Sequence, residues 1–308
     1  MRVALLNQLP YAPRWRRALA QHCPEAQLVV WPDIDDPATV DVVLTWRPPP
    51  KAWELFTGIK LIACMGAGVD NLLFDPQRPS VPVVRLVDPT LSDQMVEYVC
   101  HEVLHHHRNM ADYARLQGEG RWERLPQVPT AERTVGMLGL GAIGGACATR
   151  LAQFGFPVVG WSRTPKTLPG VNTHHGAGGF DVVLAKSQIL ICLLPLTPAT
   201  QGIINADTLA KLPMGAYLIN VGRGGHVKDG DLLAALDGGG IAGATLDVFT
   251  EEPLPSEHPY WRHPKVRLTP HIASEPQPEF ATPQIADNLR RFINKQPLMN
   301  LVDFGQGY

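Results

Sequence analysis

Short runs of aliphatic and β-branched residues alternate along this chain with segments whose apolar positions recur every three or four residues. Runs at residues 3–6, 27–31, 42–45 and 61–64 predict buried strands, with helical pieces at 14–22 and 51–56 between them. From residue 92 a longer helical pattern carries Met95, Val99, Val103 and Leu104 onward to Leu116. A loop with two prolines follows around 125–130, and the alternation then restarts. It gives a strand at 135–138, a glycine turn, a helix at 143–154 and a strand at 157–161. Further strands are predicted at 189–193, 217–221, 243–247 and 266–268, helices at 205–212 and 229–237, and a last helix at 278–294. Strand–helix alternation of this kind predicts parallel sheets of the α/β class. No repeat of fixed period and no low-complexity tract interrupts it.

The length, 308 residues, suits two domains of ordinary size or one large one. A formal net charge of −2 argues against a general polyanion-binding surface, so no nucleic-acid partner is expected. Cys23, Cys64, Cys100, Cys147 and Cys192 are far apart and form no C-x-x-C pair. They read as single buried thiols in a reducing compartment, with no structural zinc. The first apolar run is too short for a signal peptide, and no run is long enough to span a bilayer. The expectation is a cytoplasmic protein without a membrane partner.

The glycine turn at 139–144, GLGAIG, has the context that makes such a motif informative: it follows a strand, opens a helix and lies in a unit that returns as a second strand. Gly139 permits the tight turn, Gly141 lets backbone approach a pyrophosphate, and Gly144 lets helix and strand pack closely. The helix start at Ala142 and Ile143 offers amides and a positive dipole end to phosphates. A carboxylate that grips the ribose 2′-OH of NAD is expected some twenty residues on. Here the sequence reads Ser162, Arg163, Thr164, Pro165, Lys166, and no acidic residue occurs between Glu132 and Asp181. Without the acid the grip on a free 2′-OH is lost, and so is the repulsion of a 2′-phosphate. Arg163 can pair bidentately with that phosphate, with the Ser162 and Thr164 hydroxyls beside it and Lys166 close by. The site therefore reads as built for NADPH, with NADH weaker.

Three later segments sit at or just past predicted strand ends, the edge where open α/β sheets bind ligands. They are Asn220-Val-Gly-Arg-Gly224, the LDVFTEEP run containing Asp247 and Glu252, and Leu268-Thr-Pro-His-Ile272. Arg223, Glu252 and His271 can converge there. Beside a nicotinamide they suggest reduction of a 2-keto acid. The Arg holds the carboxylate and polarises the carbonyl, the His donates a proton to the developing alkoxide, and the Glu favours the charged form of the His.

The motifs GLGAIG, NVGRG, LDVFTEEPLP and TPHIAS resemble the D-2-hydroxyacid dehydrogenase family over nearly the whole chain. Within the family, WSRTPK, Trp46 in LTWRPP and HPYWRHP are most similar to the glyoxylate/hydroxypyruvate reductase A branch, which favours NADPH. The resemblance implies two doubly wound parallel-sheet domains with an active-site cleft between them. A flavodoxin-like substrate domain would be built from residues 1–99 and 276–308, and a Rossmann cofactor domain from 100–275. It implies the roles just derived for Arg223, Glu252 and His271. It places the amides of Ala67 and Gly68, in MGAGVD, on the substrate carboxylate. It sets Leu194, Pro195 and Thr200, in LLPLTPAT, with Val221 and Gly222 along the cofactor, and Asp247 near the carboxamide. Trp46 would wall the pocket and favour small acids, or else pack against Pro48 or Pro49. MVEYV and GRW at 120–122 resemble the interdomain helix and dimer arm, so a homodimer is implied.

The substrate is then a small 2-keto acid, glyoxylate or hydroxypyruvate, reduced to the 2-hydroxy acid. A larger keto acid such as phenylpyruvate, and a non-catalytic dinucleotide-sensing protein of the same fold, are the competing readings. The run Ser274-Glu275-Pro276-Gln277 departs from the branch, which often continues with apolar residues and an Arg. Finally, His101-Glu102-Val-Leu-His105 matches the H-E-x-x-H zinc pattern, with His106 and His107 adding donors. No third ligand is evident downstream, so no metal is assigned, and adventitious nickel or zinc binding is the milder expectation.

Overall fold

The computed structural model describes residues 1–6 and 12–305. The chain divides into two compact units: Met1–Leu91 with Glu275–Tyr308, and Ser92–Ser274.

In the first unit the strands are β1 (Arg2–Leu5), β2 (Gln27–Val30), β3 (Val42–Thr45), β4 (Leu61–Cys64) and β5 (Val83–Arg85). The helices are α1 (Ala12–His22), α2 (Ala52–Leu55) and α3 (Asp70–Leu73). All pairings are parallel, in the order β2-β1-β3-β4-β5. That is the flavodoxin-like winding, with its reversal between β1 and β3. Buried apolar residues fill both faces of the sheet. Trp15, Leu19, Leu44 and Leu61 belong to one cluster, and Phe56, Ile62 and Leu72 to the other. Strands buried on both sides read as unbroken apolar runs, which is why β3 and β4 stand out in the sequence.

The second unit begins within α4 (Pro89–His107), which is followed by α5 (Met110–Gly118). The strands are β6 (Val135–Leu138), β7 (Val158–Ser162), β8 (Val171–His175), β9 (Ile189–Cys192), β10 (Ala216–Asn220), β11 (Ile241–Leu246) and β12 (Val266–Leu268). Helices α6 (Ala142–Gln153), α7 (Gly176–Lys186), α8 (Ala206–Ala210) and α9 (Asp229–Asp237) connect them. The order β12-β11-β10-β9-β6-β7-β8 is wholly parallel and reverses between β6 and β9, the Rossmann winding. The last helix, α10 (Pro278–Ile293), returns to the first unit and packs on α1 through Ala281, Ile285 and Leu289.

The helix expected to run on from residue 92 is two helices. Asn109 adopts the left-handed conformation, φ 57°, and breaks the run between α4 and α5. Four pieces escape the hydrophobic pattern for physical reasons. α3 and β5 are too short to show a period, β8 is an edge strand with one neighbour and the polar sequence VNTHH, and α7 opens on GAGG. All five cysteines are buried with no disulfide between them, and burial pushes the Cys192 thiol up to about 12.

Candidate active site

In the second unit one row of paired residues crosses the whole sheet. His174 pairs with Trp161, Trp161 with Leu138, Leu138 with Cys192, Cys192 with Asn220, Asn220 with Leu246, and Leu246 with Leu268. Every strand is parallel, so the loops that leave this row emerge along one edge. They carry the glycine turn after Leu138, Arg163 after Trp161, Leu194 and Pro195 after Cys192, Arg223 after Asn220, Asp247 after Leu246 and His271 after Leu268. The topology thus lines up nearly all the candidate cofactor and catalytic residues that the sequence places in this unit.

The catalytic candidates are held by a dense hydrogen-bond frame. Glu252 Oε2 lies 2.8 Å from His271 Nδ1, and Glu252 Oε1 accepts the Phe249 amide at 2.8 Å. Both side chains are largely buried, 19% exposed for His271 and 11% for Glu252. His271 sits at φ 56°, a left-handed backbone that costs a non-glycine residue about 1 kcal/mol. Its amide is shared between the carbonyls of Asp247 at 2.8 Å and Thr269 at 3.0 Å, which offsets that cost.

Asp247 organises the same loop from below. Its Oδ1 accepts the Thr269 hydroxyl at 2.6 Å and the Ile272 amide at 2.9 Å, and its Oδ2 accepts the Ala273 amide at 2.9 Å. Burial pushes the Asp247 carboxyl upward, opposed by these three donors. Tyr98 on α4 completes the chain through a hydroxyl contact of 2.5 Å to Thr269. Tyr98 and Thr269 as supports of the His271 loop were invisible to sequence reasoning; Thr269 lies beside His271, but Tyr98 is 171 residues from Thr269.

The Arg223 turn is equally braced. Its amide donates to His226 Nδ1 at 3.0 Å, Asn220 Nδ2 donates to its carbonyl at 2.9 Å, and its own Nη1 donates to the Gly222 carbonyl at 2.8 Å. Gly224 packs so closely on the segment bearing Glu252 that a Cβ there would stand 1.9 Å from the Phe249 carbonyl carbon. The Arg223 and Glu252 loops therefore touch, through a contact open to glycine alone.

The dinucleotide turn fits a phosphate-bearing ligand. Gly139 has φ +101°, and a Cβ on Gly144 would lie 2.0 Å from the Gly139 carbonyl oxygen, so the turn closes tightly on the start of α6. A Cβ on Gly141 would meet nothing within 4 Å, so the backbone there faces open space. The first intrahelical bond is Gly145 N–H to Gly141 O at 2.8 Å, which leaves the amides at Ala142 and Ile143 directed out of the helix start. Past β7, the Ser162 hydroxyl donates to the Thr164 carbonyl at 2.7 Å, and the Lys166 carbonyl accepts from Thr173 Oγ1 at 2.6 Å. Thr200 Oγ1 donates to the Pro195 carbonyl at 2.7 Å and shapes the loop after β9. Val221 is buried beneath that edge, and Gly222 donates to Asn220 Oδ1 at 3.2 Å.

In the first unit, Trp46 lies at the end of β3, where its carbonyl accepts Asn71 Nδ2 at 3.2 Å and the Arg47 guanidinium stands 4.8 Å from its ring centre. Ala67 and Gly68 turn their carbonyls to Arg85 and the Cys64 thiol, while no acceptor among the described residues takes their amide hydrogens. Glu275 is solvent-exposed.

The H-E-x-x-H segment lies on α4 and is committed to structure. Glu102 is 2% exposed, 3.0 Å from Arg267 Nε, and accepts from Thr245 Oγ1 at 3.1 Å. His101 Nδ1 lies 2.9 Å from the same carboxylate. His106 stacks on Tyr217 with ring centres 4.0 Å apart, and His107 meets Phe156 edge-on. Among the described residues no group of three or more His, Cys, Asp or Glu side chains is arranged to hold a metal.

Comparison with known proteins agrees with this architecture. The family profile described as D-isomer specific 2-hydroxyacid dehydrogenase, NAD binding domain, matches residues 100–273. The glyoxylate/hydroxypyruvate reductase A of Escherichia fergusonii is 42% identical over 303 residues, covering 96% of each chain. A D-isomer specific 2-hydroxyacid dehydrogenase from Xanthobacter autotrophicus, solved with NADPH and MES, superposes with TM-score 0.92 at 43% identity over 99% of each chain. The NADPH-dependent glyoxylate/hydroxypyruvate reductase of Sinorhizobium meliloti, solved with NADP and sulfate, gives TM-score 0.92 at 36% identity over 100% of this chain and 99% of that one. A Rossmann edge carrying Arg, Glu and His, matched over this length at this identity, leaves one assignment: the chain belongs to the D-isomer specific 2-hydroxyacid dehydrogenase family.

Proposed function

We propose that this protein is an NADPH-dependent reductase of small 2-keto acids, converting glyoxylate to glycolate and hydroxypyruvate to D-glycerate. The observation that carries the reading is the His271–Glu252 pair at 2.8 Å, set on the same sheet edge as the glycine turn and Arg223. When bound, NADPH supplies the hydride that reduces the carbonyl carbon. Gly139, Gly141, Ala142, Ile143 and Gly144 would hold its pyrophosphate, and Arg163, Thr164 and Lys166 its 2′-phosphate.

The protein's own residues do the rest. Glu252 accepts the Nδ1–H of His271, which fixes the ring and leaves Nε2 as its other donor. The Nε2 proton is then the one delivered to the alkoxide oxygen. Arg223, anchored through Nη1, is assigned to the substrate carboxylate and carbonyl oxygen. The amides of Ala67 and Gly68 are assigned to the same carboxylate, and Trp46 to the wall that favours small acids. Asp247 is assigned a place near the carboxamide and also positions the His271 loop.

The reading assigns residues 1–99 with 276–308 to the substrate and residues 100–275 to the cofactor. It includes a homodimer, supported by Trp122, an aromatic side chain 98% exposed on the extended segment after α5. It also includes a cytoplasmic location, supported by five buried free cysteines, as suits a reducing compartment; among the described residues no helix is long and apolar enough to cross a membrane.

The test is loss of reduced-nicotinamide absorbance with NADPH and NADH in parallel, against glyoxylate, hydroxypyruvate and phenylpyruvate. Fast NADPH oxidation with the two small acids is expected. His271→Ala is expected to lose at least about a hundredfold in turnover while still binding NADPH. Unchanged turnover in that variant would refute the assignment of His271.

A further inference from the structure

We propose that His175 is a second ligand for the 2′-phosphate of NADPH and that it strengthens the preference for NADPH over NADH. The inference rests on the NADPH reading above and assigns to that site a residue outside the Ser162–Lys166 motif.

Sheet register places the side chain. His175 pairs with Ser162 across the parallel β7–β8 ladder, and neighbouring strands lie about 4.8 Å apart. Side chains alternate along a strand, so Val171, Thr173 and His175 share one face of β8. Val171 packs into the cluster that contains Cys147, Ala148 and Leu151 of α6, so this is the face covered by α6. The same helix opens on the glycine turn. Trp161 and Phe180 pack in the other cluster, with rings 5.2 Å apart, and mark the opposite face.

Thr173, the preceding residue on the His175 face, donates to the Lys166 carbonyl at 2.6 Å. The loop carrying Arg163, Thr164 and Lys166 is thereby tied down over this face of β8. His175 is the next side chain along it towards the ligand-binding edge.

Three further features leave the imidazole available there. β8 is the last strand of the sheet, so among the described residues no further strand pairs on its far side. The chain turns away at once, since Gly176 has φ +67° and Trp161 Nε1 donates to its carbonyl at 2.8 Å. His175 itself is exposed. The charged groups on the elements around it are Arg163 and Lys166 after β7, Arg150 on α6, and Asp181 and Lys186 on α7. Asp181 is paired with Lys211 Nζ at 2.8 Å, and no carboxylate replaces the ribose-binding acid at the end of β7. A phosphate dianion placed beside Arg163 thus meets an imidazole whose ring N–H can donate a hydrogen bond to it.

The experiment is a fluorescence titration of the protein with NADPH and NADH. His175→Ala is expected to weaken NADPH about fivefold, the scale of one net hydrogen bond, with NADH unchanged. His175→Lys, which keeps a donor at this position, is expected to hold NADPH. Equal loss of NADPH and NADH in His175→Ala, or no loss of either, overturns the proposal. Arg163→Ala, run alongside, separates the two readings. If it abolishes the NADPH preference while His175→Ala does not touch it, His175 alone is misassigned. If neither changes the preference, the 2′-phosphate site itself is wrong and this proposal falls with it.

Discussion

Glu252 joins two loops through one carboxylate: Oε2 meets His271 Nδ1 at 2.8 Å while Oε1 accepts the Phe249 amide at 2.8 Å. The second bond holds the carboxylate in place, so its charge is presented to the imidazole in a fixed direction. Glu252→Gln keeps the shape and removes the charge. The anion stands behind the ring that donates a proton during reduction, so its loss removes stabilisation from that step. Turnover of glyoxylate should fall at least about tenfold while NADPH binding is unchanged. The measurement is kcat for glyoxylate beside a fluorescence titration of NADPH, and an unchanged kcat would count against the pairing.

Arg163 follows β7 where a dinucleotide unit for NAD carries its acid. Its guanidinium is expected to bind the 2′-phosphate and nothing that NADH possesses. Arg163→Ala should therefore raise the NADPH dissociation constant roughly tenfold to a hundredfold, the range for a hydrogen bond between charged groups. NADH should change little. Titration of both dinucleotides decides it, and equal weakening would mean that Arg163 supports the loop instead of reading the phosphate.

How much of this could be read from the chain alone differs by element. The glycine turn and Arg223 could be placed because each follows a fully buried apolar strand, whereas Glu252, well past β11, and His271, after the partly buried VRL of β12, rested on their surrounding motifs. The row that aligns them depends on strand order, which local pattern does not encode. β8 and α7 were missed because an edge strand needs no apolar run and a helix opening on GAGG has weak propensity. The break at Asn109 rests on one left-handed residue that reads as ordinary helix-surface sequence. The Tyr98–Thr269–Asp247 chain joins residues more than a hundred positions apart, and nothing local marks it.

Acid should loosen the second unit through its neutral histidines. Burial holds His106 down to about 3, with Arg133, His107 and His105 adding to the effect, and burial also lowers His105 and His107. A histidine lowered in the fold is neutral in the native state but takes a proton when unfolded. Stability is then intact above the unfolded value of about 6.5 and falls as pH drops from there towards the native value, by up to about 1.4 kcal/mol per pH unit per group. His106→Phe keeps a ring against Tyr217 and removes one such group. Denaturant midpoints at about pH 7 and about pH 5 should show a smaller acid-induced drop in the variant than in the parent. An equal drop would place the acid sensitivity elsewhere.

Glu102 supports the second unit by pairing across it. The carboxylate on α4 is 2% exposed, and it engages Arg267 on β12 at 3.0 Å, Thr245 on β11 at 3.1 Å and His101 at 2.9 Å. Glu102→Ala removes the one anion in this set and leaves the Thr245 hydroxyl without that acceptor. Breaking a buried pair from one side costs about 3–5 kcal/mol, but Arg267 is 40% exposed and can regain water, so the loss should be nearer about 2 kcal/mol. Glu102→Leu combined with Arg267→Met should recover much of that loss, because it removes both charges and keeps the volume. A zinc hydrolase built on His101, Glu102 and His105 makes the opposite demand: chelation would destabilise the parent, and the double variant would be no better than the single. Denaturant unfolding of the parent with and without chelator, beside both variants, distinguishes them. The buried ion pair predicts no effect of chelation and a double variant more stable than Glu102→Ala.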